Sequence, residues 1–318
     1  MAYILRRCVL LVPTLLGISF LAFAMANLAP GDPAEQFIRR VSDHPPAPGE
    51  VREVRHELGL DRPLVTQYAT WVGRAVRGNL GISYSTRRPV VRELQHRIPF
   101  TLQLTVLAAG LALLIAVPLG IVSALHRNKI IDQAARVTSL AGASMPSFWL
   151  GLSLIVLFAV RLSLVPVAGR SGFQSYILPV VTLAVAPAAV LSRFTRSAML
   201  EILDDDYMRT AHAKGLSAWR AVISHGLRNA LVPLLTAFGV SLGHLLSGAV
   251  IVETIFVWPG VGKLALDAIQ QRDYPMIQGF VLYAGATFAA INLMIDLAYG
   301  AIDPRIAAAG TRAGGSHS

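Results

Sequence analysis

Six uncharged runs of 22 to 28 residues constrain this chain more than any other feature of its sequence. The runs are residues 8–29, 98–125, 137–160, 171–192, 229–252 and 274–295. A membrane-crossing helix needs about 20 mostly apolar residues, and even the shortest run would form a helix about 33 Å long. Charged residues make up only 14% of the chain, against about 25% in soluble domains. The sequence therefore predicts an all-α membrane protein with six transmembrane helices.

The distribution of Lys and Arg predicts the orientation. Over the short segments that flank the runs, 13 basic residues fall on one side and 4 on the other. The more basic side is normally cytoplasmic, whereas long segments translocate largely regardless of their charge. Both termini are therefore expected in the cytoplasm and residues 30–97 outside. The first run is longer than the apolar core of a typical signal peptide, so we expect it to be a retained helix.

The external segment 30–97 has a predicted organisation of its own. We expect a turn at 30–33, a short polar helix at 50–60 and an amphipathic helix at 62–76, with Tyr68 and Trp71 at the membrane interface. The segment contains 11 Arg and 8 acidic residues. It is either a small cap over the outer face or an element for docking and gating.

A second charged segment, residues 193–230, predicts two short helices joined by a glycine. Three aspartates at 204–206 suit the start of the first helix, where the helix dipole favours negative charge. Gly215 suits its end, and Ser217 suits the cap of the next helix. Such a unit lying on the cytoplasmic face could bind lipid headgroups or a partner protein, and the residue pattern leaves both open.

Common catalytic signatures are missing from the sequence. Gly260–Lys263 lacks the spacing and the hydroxyl of a phosphate-binding loop, and His56-Glu57 is not followed by the second His of a zinc protease. The single cysteine, Cys8, excludes an intramolecular disulfide and a multi-cysteine metal site. We expect no catalytic residue and no metal site.

Two features of the sequence suggest a catalytic or a nucleic-acid-binding role. Gly239, Ser241 and Gly243 fit the pattern of a serine nucleophile, with His244 beside them. Small residues at this spacing are more typical of close helix packing in membranes. The net charge of +10 suggests a nucleic-acid or scaffold protein, but the basic residues are scattered among acidic ones.

Polar residues inside the runs are candidates for a transport pathway, because burying them in a membrane is costly. These candidates are Gln103, His244 and Asn292. They form no dense acidic array of the kind found in proton pumps, which argues against a proton-driven carrier.

The segments 209–216, RTAHAKGL, and 225–233, HGLRNALVP, closely resemble the cytoplasmic loop of ABC-importer permeases. Arg209 and Arg228 depart from the general motif, which has Glu and Pro there, in the manner of the peptide/nickel branch. Further segments resemble that branch: 28–33, 58–64, 78–83, 252–262, 272–275 and 303–305. The resemblance extends from residue 1 to about 306, and it is to the first of the two permease subunits.

The resemblance implies a type I ABC importer permease fold in a bacterial inner membrane, with an extended external segment between helices 1 and 2. It divides the chain into 1–29 (N-terminus and first helix), 30–97 (external segment), 98–306 (permease core with the coupling loop 193–230) and 307–318 (tail). The residues expected to couple to an ATPase are Arg209, Thr210, Ala211, Ala213, Lys214, Gly215, Leu216 and Ser217. External docking candidates are Asp32, Tyr68, Trp71, Glu253 and Trp258.

The resemblance also implies the partners. They are a second homologous permease, one or two cytoplasmic ATPase subunits, an extracytoplasmic substrate-binding protein and membrane lipid, without nucleic acid. ATP and magnesium would bind to the ATPase subunits and no cofactor to this chain, which is not itself an enzyme. The cargo expected first is a di- or oligopeptide, while nickel chelates, glutathione and haem remain open.

Overall fold

The computed structural model describes residues 12–24, 32–41, 44–205 and 227–302. The helices, in chain order, are α1 (Val12–Ala24), α2 (Pro33–Val41), α3 (Pro48–Glu57), α4 (Leu64–Val76), α5 (Val90–Leu125), α6 (Ile130–Ser144), α7 (Ser147–Leu154), α8 (Gln174–Leu203), α9 (Leu227–Ile255), α10 (Val261–Gln270) and α11 (Tyr274–Ile302). Within these ranges, β pairing is limited to one antiparallel bridge between Ile82 and Pro89. The predicted all-α class is confirmed.

Most predicted spans correspond to long apolar helices. Among the described residues, four helices are long and apolar enough to cross a membrane: α5, α8, α9 and α11. Helix α6 and the helical segment Ser147–Arg161 add a fifth crossing if the bent pair counts as one span. The first predicted run contains α1, an apolar helix of thirteen residues. Pro179 and Pro187 lie inside α8, as membrane helices allow.

The prediction of one continuous span over 137–160 is wrong. The helix breaks after Ser144, and α6 meets the following helical segment at 101°. Met145 is extended, with φ −80° and ψ 121°, and Pro146 precedes α7. A residue before proline avoids the helical region because the proline ring crowds its backbone. Beyond α7, the backbone continues as a π-helix over Ile155–Arg161.

The chain forms two compact units. Of the described residues, 100–205, 227–259 and 290–302 belong to the first. Its apolar core is built from α5, α8 and α9 and contains many alanines, which allow these helices to approach closely. A smaller apolar cluster of the same unit joins Ile121 and Ala124 to Met199 and Ile202.

The second unit contains residues 12–24, 32–41, 44–99 and 260–289 among those described. Its core packs Val90 and Leu94 against Val261, Leu264 and Met276. The predicted helices at 50–60 and 62–76 are present as α3 and α4. Neither α2 nor α10 was predicted from the sequence, although the buried positions of α10 follow helical spacing.

Candidate functional site

The predicted ATPase-coupling residues, 209–217, lie outside the described residues. The structure does describe the helix that leads to them. Helix α8 ends at Leu203, and the next residue, Asp204, forms an exposed ion pair with Arg127 at 3.3 Å. The predicted coupling residues therefore follow the end of α8 within a few positions of the chain.

A buried carboxylate lies near this end of α8. Asp132 of α6 is 0% exposed. Arg196 of α8 donates to it twice, from Nε to Oδ1 and from Nη2 to Oδ2, both at 2.7 Å. The Ser123 hydroxyl donates to Oδ1 at 2.6 Å, and the Asn128 backbone N–H donates to Oδ2 at 2.9 Å. We call these four residues the Asp132 cluster. Sequence reasoning did not single out any of them.

Gln103, a predicted pathway residue, lies in a polar and aromatic cluster. The Tyr176 hydroxyl donates to Gln103 Oε1 at 3.0 Å, and Arg170 Nε donates to the Tyr176 oxygen at 3.2 Å. The Arg170 guanidinium lies 4.9 Å from the centre of the Phe100 ring, within range of a cation–π contact. Gln103 and Arg170 are exposed, so the cluster presents an amide and a cation at the surface of this unit.

Trp258 supports the same cluster from inside. It is 0% exposed, packs edge-on against Tyr176 at 4.6 Å, and donates from Nε1 to the Phe100 carbonyl at 3.2 Å. Glu253 is also 0% exposed, and Thr101 Oγ1 donates to its Oε1 at 2.6 Å. Both residues were predicted to contact a docking protein. Their burial contradicts that role, since neither side chain reaches the surface of the chain.

The contribution of the hydrogen bond between Thr101 and Glu253 to stability can be tested by substitution. Thr101→Val keeps the side-chain shape but removes a donor to a buried carboxylate, which costs about 1–3 kcal/mol. We expect a lower midpoint of thermal unfolding in detergent. Thr105→Val, one turn further along α5, is the matched control, because the buried Thr105 hydroxyl has no hydrogen-bond partner among the described residues. Equal midpoints for the two variants would contradict the prediction.

The remaining docking candidates lie in the second unit. Tyr68 of α4 donates to the Leu16 carbonyl of α1 at 2.9 Å. Trp71 is 7% exposed and packs 6.2 Å from the Phe23 ring, centre to centre. Trp71 is thus a packing residue, contrary to its predicted docking role, because α1 covers its ring. Half-buried Asp32 accepts a hydrogen bond from the Ala34 N–H and pairs with Arg55 of α3.

Another buried carboxylate, Asp273, organises the segment before α5. Its Oδ2 accepts hydrogen bonds from the hydroxyls of Ser83 and Ser85, at 2.6 and 2.7 Å. Burial, assisted by the charge of Asp273, raises the pKa of Tyr84 to about 12, so this phenol stays protonated at neutral pH. Two segments that carried the resemblance, 78–83 and 272–275, meet here.

Comparisons with known proteins agree with this architecture. The family described as "Binding-protein-dependent transport system inner membrane component" matches residues 116–308, and its N-terminal counterpart matches residues 1–105. The chain belongs to this family. Its resemblance to the permeases of peptide-type ABC importers is confirmed, and the chain is a multi-pass inner-membrane permease subunit. In such importers, separate ATPase subunits hydrolyse ATP and a substrate-binding protein delivers the cargo.

Curated relatives match the permease over nearly its whole length. It is 44% identical to the di/tripeptide transport system permease protein DppB of Pseudomonas aeruginosa, over 96% of this chain and 98% of the relative. It is 42% identical to the glutathione transport system permease protein GsiC of Escherichia coli, with the same coverage.

A solved structure confirms the type I importer permease fold. The inward-facing methionine ABC transporter MetNI aligns with a TM-score of 0.57 at 19% identity, over 66% of this chain and 96% of that one. At this identity the likeness concerns the fold alone.

The other polar residues of the permease spans show no catalytic arrangement in the described part of the chain. Ser241 is buried and donates to the Ala237 carbonyl of its own helix at 2.8 Å. His244 is exposed, as is Asn292, and no hydrogen bond joins His244 to Ser241 within the described ranges. A β-carbon built on Gly239 would clash with the side chain of Ile295 on α11. This glycine therefore permits the close helix packing that the sequence favoured over a serine nucleophile.

Proposed function

We propose that this permease imports small peptides and forms half of the translocation pathway, together with a second homologous permease. The supporting observation is the 44% identity to a di/tripeptide permease over 96% of the chain. Gln103, His244 and Asn292 are proposed pathway residues, and all three are exposed in the isolated chain. The cluster of Arg170, Tyr176 and Gln103 would offer a peptide one cation and several hydrogen-bonding groups.

The proposed orientation places both termini in the cytoplasm and residues 30–97 outside. The charge asymmetry of the short segments supports it. Residues 209–217 then face the cytoplasmic ATPase subunits, which would hold ATP and magnesium, while this chain holds no cofactor. Membrane lipid surrounds the spans, and the binding protein docks on the outer face, where Asp32 and Tyr68 are the remaining candidates.

Uptake by the complete importer tests the cargo. The two permeases, the ATPase subunits and the binding protein are reconstituted in liposomes loaded with ATP, and uptake of a labelled dipeptide is measured. We expect uptake that needs both ATP and the binding protein, and that an excess of unlabelled tripeptide suppresses. Suppression by a nickel chelate or haem, but not by peptide, would contradict the proposal.

Glutathione is the second candidate cargo, because a relative named for glutathione transport is 42% identical over the same length. Glutathione is itself a tripeptide with an unusual γ-linkage. The same assay separates the candidates when glutathione and an ordinary tripeptide compete with the labelled dipeptide over equal concentration ranges.

Gly215→Trp tests the proposed coupling segment. A glycine at a helix end commonly adopts a left-handed conformation that a bulky residue disfavours. We expect peptide uptake to fall at least about tenfold while ATP hydrolysis persists, in the range of coupling between distant sites. Gly73→Trp is the control, because a β-carbon built there meets nothing within 4 Å. Full uptake by the Gly215→Trp importer would argue against this segment as the coupling element.

A further inference from the structure

The Asp132 cluster connects three separate parts of the first unit through one carboxylate. Ser123 belongs to α5, Asn128 to the turn after it, and Arg196 to α8. Each oxygen of Asp132 accepts two hydrogen bonds, at distances of 2.6 to 2.9 Å. The acceptor capacity of the carboxylate is therefore used completely by groups that lie outside α6.

The geometry of the ion pair restrains motion between α6 and α8. Arg196 meets the carboxylate with two parallel N–H donors, an arrangement that fixes direction as well as distance. Sliding or rotating α8 relative to α6 would lengthen or misalign these bonds. A buried ion pair is weak evidence for stability, because apolar residues of similar volume often serve as well. Its directional restraint therefore suggests a role in positioning.

Contacts further along the same helices extend the restraint. The hydroxyls of Ser139 on α6 and Ser192 on α8 are 2.8 Å apart. A β-carbon built on Gly142 of α6 would lie 3.3 Å from Ala189 of α8. Helices α6 and α8 thus run antiparallel and in close contact from Asp132 onward, and the Asp132 cluster lies at one end of that contact.

The Asp132 cluster lies close, along the chain, to the proposed coupling segment. Arg196 is seven residues before Leu203, where α8 ends, a distance of about 10 Å along a helix. The proposed coupling residues begin at 209. Helix α6, on the other side of the ion pair, leads to the 101° bend that precedes α7. If the C-terminal end of α8 is displaced, the Asp132 cluster is therefore closer to the displaced end than the middle of the helix is.

We infer that Asp132 and Arg196 are positioning residues that make α5, α6 and α8 move as one body when the ATPase subunits move the coupling segment. This inference rests on the proposed function, because it assigns the ion pair a role in linking ATP hydrolysis to import. Neither residue needs to contact peptide or nucleotide. Without the pair, α8 follows the ATPase while α5 and α6 lag behind, so that ATP is hydrolysed without import.

The number of peptides imported per ATP hydrolysed tests the inference in the reconstituted importer. Asp132→Asn removes the charge and converts part of the acceptor group into a donor. Arg196→Lys keeps the charge but loses the two-pronged geometry. We expect the ratio to fall on the order of tenfold in the first variant and severalfold in the second, in the range of coupling between distant sites. The double variant should be no worse than Asp132→Asn, because both changes break one interaction.

Arg127→Gln is the matched control. It removes the exposed ion pair with Asp204, which joins the turn after α5 to the end of α8. Exposed pairs contribute little, so the ratio should stay within about twofold of the wild-type value. If Asp132→Asn does not assemble, Arg196→Lys decides the question alone.

Two results would overturn the inference. A purely structural role would reduce import and ATP hydrolysis together through loss of assembled complex and leave their ratio unchanged. Unchanged rates in both variants would also exclude a positioning role. Failure of the proposed function gives a different result, since the wild-type importer itself would then take up no peptide.

Discussion

Gly120→Leu is expected to abolish accumulation of folded protein, and Gly120→Ala to lower its midpoint of thermal unfolding. A β-carbon built on Gly120 of α5 would lie 2.5 Å from the Thr195 β-carbon and 2.7 Å from the Ser192 carbonyl oxygen, both of α8. Backbone and β-carbon atoms cannot move unless the helix moves. Overpacking of this kind costs about 1–3 kcal/mol even for small additions, and leucine adds far more volume.

Gly110→Ala is the control for this prediction. Gly110 lies on the same helix, but a β-carbon built there meets nothing within 4 Å. Alanine is the better helix former by about 1 kcal/mol, so this change should be neutral or stabilising. The measurement is the unfolding midpoint of the purified permease in detergent, together with the yield of monodisperse protein. A Gly120→Ala midpoint equal to that of Gly110→Ala would refute close packing of α5 on α8.

The positions of the spans could be predicted from the sequence because hydrocarbon excludes charge over about 20 residues. Runs such as 98–125 and 229–252 were therefore found without knowledge of their neighbours. The bend after Ser144 was missed, since counting uncharged residues does not register where a helix breaks. The signal was the dipeptide Met145-Pro146, because the residue before a proline favours extended backbone.

The buried carboxylates could not be found in the same way. Asp132 and Arg196 are 64 residues apart in the chain, and Ser83 and Asp273 are 190 apart. Nothing local distinguishes such a carboxylate from one at the surface. Glu253 was named as an external docking candidate from the resemblance. Its burial could not be foreseen, because its partner Thr101 lies within a different helix, α5, 152 residues earlier in the chain.

Asp273→Ala is expected to release the segment between α4 and α5. Asp273 precedes α11, and its Oδ1 accepts a hydrogen bond from the Met276 N–H at 3.3 Å, as a helix N-cap does. Its Oδ2 holds Ser83, which is 1% exposed, and Ser85. Alanine would remove the cap and leave a buried hydroxyl without its strongest acceptor. These losses cost about 1 kcal/mol and about 1–3 kcal/mol.

Tryptic cleavage after Arg87 measures the effect, because this side chain is exposed, whereas the bond after Arg88 precedes Pro89 and resists trypsin. A local opening that becomes easier by about 3 kcal/mol is populated more than a hundredfold more often, and cleavage of open states follows that population. Asp267→Ala is the control. It removes an ion pair with Lys263 on α10, in which the Asp267 side chain is 40% exposed, and such pairs contribute about 1 kcal/mol at most. Equal cleavage rates in the two variants would mean that Asp273 does not hold this segment. The hydrogen bonds from Ser83 and Ser85 to Asp273 would then not stabilise the segment against local opening.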